Sequence, residues 1–101
     1  MIEVLGALLA WRPSDPSSGG WYFVSVEGEA AAEIRFAALG TASSFGSIPV
    51  TAVIGGTTWK TSLFPSKQTG GFLLPVKAEV RIREALSAGD EVAVRLRPAV
   101  S

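Results

Sequence analysis

Lys60 and Ser62 stand two apart in the run TTWKTSLF, residues 57–64, so on an extended strand their side chains leave by the same face. An amine beside a hydroxyl is the minimal Ser-Lys nucleophile pair used by some hydrolases. Any strand with this alternation brings such a pair together, and a half-exposed polar face accounts for it without catalysis. The same run and the helix-like segment after it gather a more complete set for recognition. Trp59 supplies aromatic area, Lys60 and Lys77 supply charge, Ser62 a hydroxyl, and Arg81 a planar donor fork that matches a carboxylate or a phosphate. Trp59, Lys60, Ser62, Lys77 and Arg81 are therefore the candidate ligand-binding residues, for a small anion or a protein partner. Trp11 and Trp21 read instead as structural residues of a small core.

The residues that are missing narrow the chemistry further. There is no histidine and no cysteine in the 101 residues, which removes the commonest general base, the thiolate nucleophile and the soft metal ligands. The nine acidic residues show no spacing for a hard-cation loop, and neither GGTTWK nor GGFLL opens a helix as a phosphate-binding loop would. No catalytic residue, metal or cofactor is assigned on these grounds. Nine basic residues balance the nine acidic ones, so no global field draws in a polyanion. The basic residues nevertheless gather in the second half, from Lys60 onward. A net charge near zero also removes a brake on self-association, so a homodimer through a strand edge or an apolar face is compatible with the composition. IEVLGALLAW has no basic segment before it and carries Glu3, unlike a secretory leader, and it is too short to span a bilayer. With cysteine absent as well, the expected location is the cytoplasm.

The elements that must position these residues follow from periodicity. Residues 2–10 pass from a mixed alternation into an apolar run and predict a first strand, buried on much of both faces. RPSDPSSGG, 12–20, predicts a mobile loop. WYFVSV, 21–26, is aromatic and β-branched and predicts an antiparallel partner for the first strand. EGEAAAEIRFAALG, 27–40, shifts to a helical period with Ala30, Ile34, Ala37 and Ala38 inward and Gly40 as its stop. After the polar loop TASSFGS come three strands, SIPVTAVI, TTWKTSLF and GFLLPV. Gly55 and Gly56 join the first two as a tight hairpin, whose turn asks for positive φ at both glycines. VKAEVRIREAL, 76–86, predicts a second helix with Ala78, Ile82, Ala85 and Leu86 inward and a Glu79–Arg83 pair at i, i+4, leaving Val80 off the stripe. Ala88, Gly89 and Asp90 make a turn before EVAVRLR, whose Val92, Val94 and Leu96 alternate inward. One domain results, mainly β: a six-stranded, closed or nearly closed, antiparallel-rich barrel with two short helices.

GWYFV at 20–24, SIPVTAVIGGTTWKTSLFP at 47–65 and GGFLLPVKAEVRIREALSAGDEVAVRL at 70–96 together resemble the bacterial and archaeal family called domain of unknown function 1905. The resemblance covers most of the chain in order, departing in RIREALSAGD, where a shorter pattern is usual. It implies a small closed β-barrel and no particular activity. A weaker similarity links Arg83, Leu86, Gly89, Asp90, Val92 and Val94 to swapped-hairpin barrels of the AbrB type, which are DNA-binding dimers. That similarity makes nucleic-acid binding the alternative function.

Overall fold

The computed structural model describes residues 2–11, 21–37 and 46–98. Along the chain run β1 (Ile2–Trp11), β2 (Trp21–Val26), α1 (Gly28–Ala37), β3 (Ile48–Ile54), β4 (Thr57–Pro65), β5 (Phe72–Pro75), α2 (Ala78–Arg83) and β6 (Glu91–Pro98). The strands close into a barrel in the order β1-β2-β5-β4-β3-β6, each neighbouring pair antiparallel. The expected six-stranded barrel is thus present and fully closed. All six staves come from one chain, so closure needs no hairpin exchanged with a second copy. The loop expected over 12–20 and the helix stop at Gly40 lie outside the described residues.

Closure follows from alternation. Each stave sends every second residue inward, and Val4, Leu8, Val24, Val26, Val50, Leu63, Leu74, Val94 and Leu96 fill one continuous core. The first strand corrects the expectation of burial on both faces. Val4 and Leu8 are buried, while Leu5 and Leu9 on the outer face are 67% and 43% exposed. A barrel stave has only one inner face, and an apolar run on it leaves its other half in water. The β3–β4 hairpin turns at Gly55–Gly56 as expected, closing on the Ile54↔Thr57 pair. Of the two glycines only Gly55 has positive φ (+56°), the pattern of a type II′ turn, which needs it at the first central position alone. Before β6, the Leu8 N–H donates to the Asp90 carbonyl and the Gly89 N–H to the Leu8 carbonyl. Two residues thus face one, a bulge of the type that uses a left-handed glycine, here at φ +94°. The Asp90 carboxylate accepts from the Ser87 N–H at 2.8 Å and closes the turn, the structural role its position suggested.

The helices sit at opposite ends of the β2–β5 pair. α1 follows the end of β2, buries Ala31 and Ile34, and sets Arg35 5.3 Å from the centre of the Phe72 ring at the start of β5. α2 follows the end of β5 and lies against the start of β2. It is shorter than its periodicity predicts, and its buried face is different. Val80 is buried (1% exposed), whereas Ile82, expected inside, is 79% exposed. The reason is the way the helix ends. The Leu86 N–H donates to the Arg81 carbonyl and the Ala85 N–H to the Ile82 carbonyl, with Ala85 left-handed at φ +53°, which is a Schellman closure. The chain reverses after Arg83. The inward residues are then Val76 before the helix, Val80 within it and Leu86 after it, and no continuous i, i+4 stripe exists. The expected Glu79–Arg83 pair does form, at 3.1 Å on the surface. Beyond the helix, the Thr57 hydroxyl donates to Glu84 Oε2 at 2.6 Å, tying the end of α2 to the β3–β4 hairpin.

Candidate functional site

A cleft of about 260 Å³ opens at the α2 end of the barrel, between β4 and the chain that leaves β5 for α2. Its position follows from how β4 and β5 pair. Their register holds for only two pairs, Phe64↔Leu73 and Pro65↔Phe72. Continued, it would set Pro75 opposite Ser62 and Lys77 opposite Lys60. Proline has no N–H to give to the Ser62 carbonyl, and two ammonium groups directly opposed would repel. The ladder stops there. Meanwhile the chain after Pro75 stays with β2, the Val76 N–H donating to the Tyr22 carbonyl at 2.9 Å. The two staves part, and the opening lies between Trp59–Thr61 on one side and Pro75–Ala78 on the other.

Four of the five candidate residues reach this cleft, although they leave their elements in different directions. Trp59 points inward on β4 and is 7% exposed, with Leu63 farther along the same face. Its indole therefore serves as core filler and as one wall of the cleft. Lys60 is on the outer face of β4 and exposed, Lys77 is the residue before α2, and Arg81 comes from α2 itself. Ser62 is half-buried on the outer face of β4 and is not part of the cleft lining. Among the described residues no hydrogen bond joins Ser62 to Lys60, so the two share a face without forming a nucleophile pair.

Arg81 is the most constrained of the cations. Its guanidinium lies 3.7 Å from the centre of the Tyr22 ring, and its Nε donates to the Val76 carbonyl at 3.3 Å. Stacking and the hydrogen bond fix the plane of the fork while leaving the terminal nitrogens to other acceptors. No carboxylate pairs with Arg81 or Lys60 among the described residues, and Lys77 is held only by Glu79 at 3.9 Å on the surface. Among the described residues no acidic side chain lines the cleft.

The structure adds two aromatic residues that sequence reasoning had assigned elsewhere or passed over. Trp21, read as structural, is 61% exposed and stands at the cleft. It falls on the outward phase of β2, opposite to Tyr22 only by one residue, and the alternation of WYFVSV does not show which phase faces in. Tyr22, the platform for Arg81, carried no signal of its own, since a cation–π partner from a distant helix has no sequence spacing. Trp11 is paired with Trp21 in the β1–β2 register, and its side chain lies outside what is described. A second, shallower groove of about 450 Å³ crosses the outer face of β2, β5 and β4 over Trp21, Phe23, Leu73 and Phe64. Among the described residues its lining is mostly aromatic and aliphatic, with Gln68 as its one amide side chain. Among the described residues no group of histidine, cysteine or carboxylate side chains is arranged to hold a metal ion.

No curated protein and no solved structure matches this chain. The model of the family described as Domain of unknown function (DUF1905) matches residues 6–96, a span from within β1 to within β6 that includes every residue of the cleft. The chain belongs to the DUF1905 family of small β-barrel domains.

Proposed function

We propose that this barrel is a non-enzymatic binding module whose cleft takes a small anionic ligand. The observation that carries this reading is the state of Arg81: stacked on Tyr22, oriented by the Val76 carbonyl, and joined by Lys60 and Lys77 around a pocket in which, among the described residues, there is neither a carboxylate partner for Arg81 nor an acid in the lining. A guanidinium fixed in advance loses little rotational freedom on binding, so a planar anion gains both charge and two parallel hydrogen bonds. Trp59, Tyr22 and Trp21 supply flat apolar walls for the rest of the ligand.

The reading is tested by thermal shift with a panel of small carboxylates and phosphates. A ligand at ten times its Kd stabilises the folded state by about 1.4 kcal/mol, which raises Tm by several degrees in a domain of this size. Arg81→Gln is expected to abolish the shift and Lys60→Gln to reduce it. No shift with any anion of the panel would refute the reading.

A second reading, a nucleic acid laid across the barrel wall, rests on a different observation. Thr51 pairs with Lys60 on one side and Arg97 on the other, which aligns two cations in one row across β4, β3 and β6, with Arg95 farther along the outer face of β6. It predicts affinity that falls steeply with salt, because phosphate binding releases counterions. The absence of a gel-shifted complex at low salt and micromolar protein would exclude it.

A further inference from the structure

The cleft is more than a charged hollow, because one of its walls is an unpaired strand edge. In a two-residue hairpin the residues flanking the turn form a hydrogen-bonded pair, so Thr57, Trp59, Thr61 and Leu63 direct their N–H and C=O groups to β3. The even-numbered residues of β4 then direct theirs to β5. The bond from the Ser66 N–H to the Gly71 carbonyl continues this phase beyond the end of the strand. Phe64 finds its partner in Leu73, but the Ser62 carbonyl meets a proline, and Lys60 makes no backbone hydrogen bond to Lys77, the next residue in register. The Lys60 N–H and C=O and the Ser62 C=O therefore border the opening. They are a short row of donor and acceptor with strand geometry, lying beside three cations.

We propose that the cleft takes an acylated amino acid with a free α-carboxylate, such as the C-terminal residue of an extended peptide. Its amide pairs with the Lys60 main chain as one more rung of the barrel, and its carboxylate is held by Arg81 with Lys77. A simple anion satisfies the cations and leaves the strand edge bare. A ligand with an amide next to its carboxylate satisfies both, and its side chain lies against Trp59 and Trp21. The chemistry is that of strand addition combined with carboxylate capture. The volume, about 260 Å³, suits a terminal residue rather than a long segment. This proposal rests on the anion-binding reading above and adds to it the identity of the ligand's uncharged part.

The test uses the full chain and N-acetyl tripeptides ending in alanine, leucine or phenylalanine, each as the free acid, as the C-terminal amide, and with its last peptide nitrogen methylated. N-acetyl amino acids, benzoate and inorganic phosphate complete the series, with affinity measured by calorimetry and the Lys60 amide followed by NMR. The expected result is that the free acid binds at least tenfold more tightly than either the amide or the N-methyl peptide. The Lys60 N–H resonance should move as it gains a hydrogen bond. Arg81→Lys, which keeps the charge and loses the fork, should remove most of the preference for the free acid over the amide. The N-acetyl amino acids separate the two sources: equal binding assigns a small acylated metabolite, and tighter tripeptide binding assigns a chain terminus. If benzoate or phosphate binds as tightly as the peptides and N-methylation changes nothing, the strand-addition proposal is wrong while the anion reading stands. If no member of the series binds, both fall. The comparison among ligands needs no altered protein, so a variant that fails to fold does not spoil it.

Discussion

Ala85 is the one residue other than glycine with positive φ among the described residues, and it holds the left-handed position that closes α2. A Cβ in that conformation crowds the neighbouring carbonyl, at a cost of roughly 1–2 kcal/mol, and glycine avoids the clash. Ala85→Gly is therefore expected to raise stability by about 1 kcal/mol, the remainder being offset by the extra freedom of glycine in the unfolded chain. Denaturant titration measures it, and a loss of stability would show that the closure at Leu86 does not depend on Ala85. The sequence invited the opposite reading, a helix running through Ala85 to Leu86, because alanine is the strongest helix former and nothing in its identity announces a reversal. Arg81 was legible as a donor fork from its chemistry alone. Its Tyr22 platform was not, since the two meet only after β2 and α2 have been brought to the same end of the barrel.

At the scale of the element, strands were easier to read than helices, and the physical reason lies in their periods. EVAVRLR alternates buried and exposed over its whole length, so its inner face could be assigned residue by residue. α2 spans only Ala78–Arg83, under two turns, and a stripe drawn over so short a segment is dominated by where it ends. The corrected face makes a direct prediction. Val80→Ala removes two buried methyl groups and should cost about 1–3 kcal/mol, whereas Ile82→Ala on the exposed side should stay within roughly 0.5 kcal/mol. A larger loss at Ile82 than at Val80, measured by chemical denaturation, would restore the original stripe. The interrupted pairing of β4 and β5 was written in the chain as Pro75, but it became visible only with the register. Proline in a strand says that a rung is missing, not which neighbour goes without.

For the whole molecule, the six strands and the barrel they form followed from turn residues and alternation, while the order of neighbours around it, β1-β2-β5-β4-β3-β6, did not. β1 pairs with β6, the two strands farthest apart in sequence, and no local signal encodes that contact. Residues from all six strands and both helices belong to one buried cluster, so the domain should unfold in a single cooperative transition. Tryptophan fluorescence, to which buried Trp59 contributes, and far-ultraviolet circular dichroism are expected to give the same midpoint. Two separated transitions would mean that the core is not shared. The division of labour along β4 has a consequence for how such a domain diversifies. Trp59 and Leu63 support the interior from one side of the strand, while Lys60 and Ser62 look outward from the other. If the cleft binds a ligand as proposed, replacements at Lys60 would retune what is recognised without disturbing the packing that keeps the barrel closed. A lineage of such barrels could thus exchange one ligand for another through surface changes alone, conserving its architecture while its specificities drift apart.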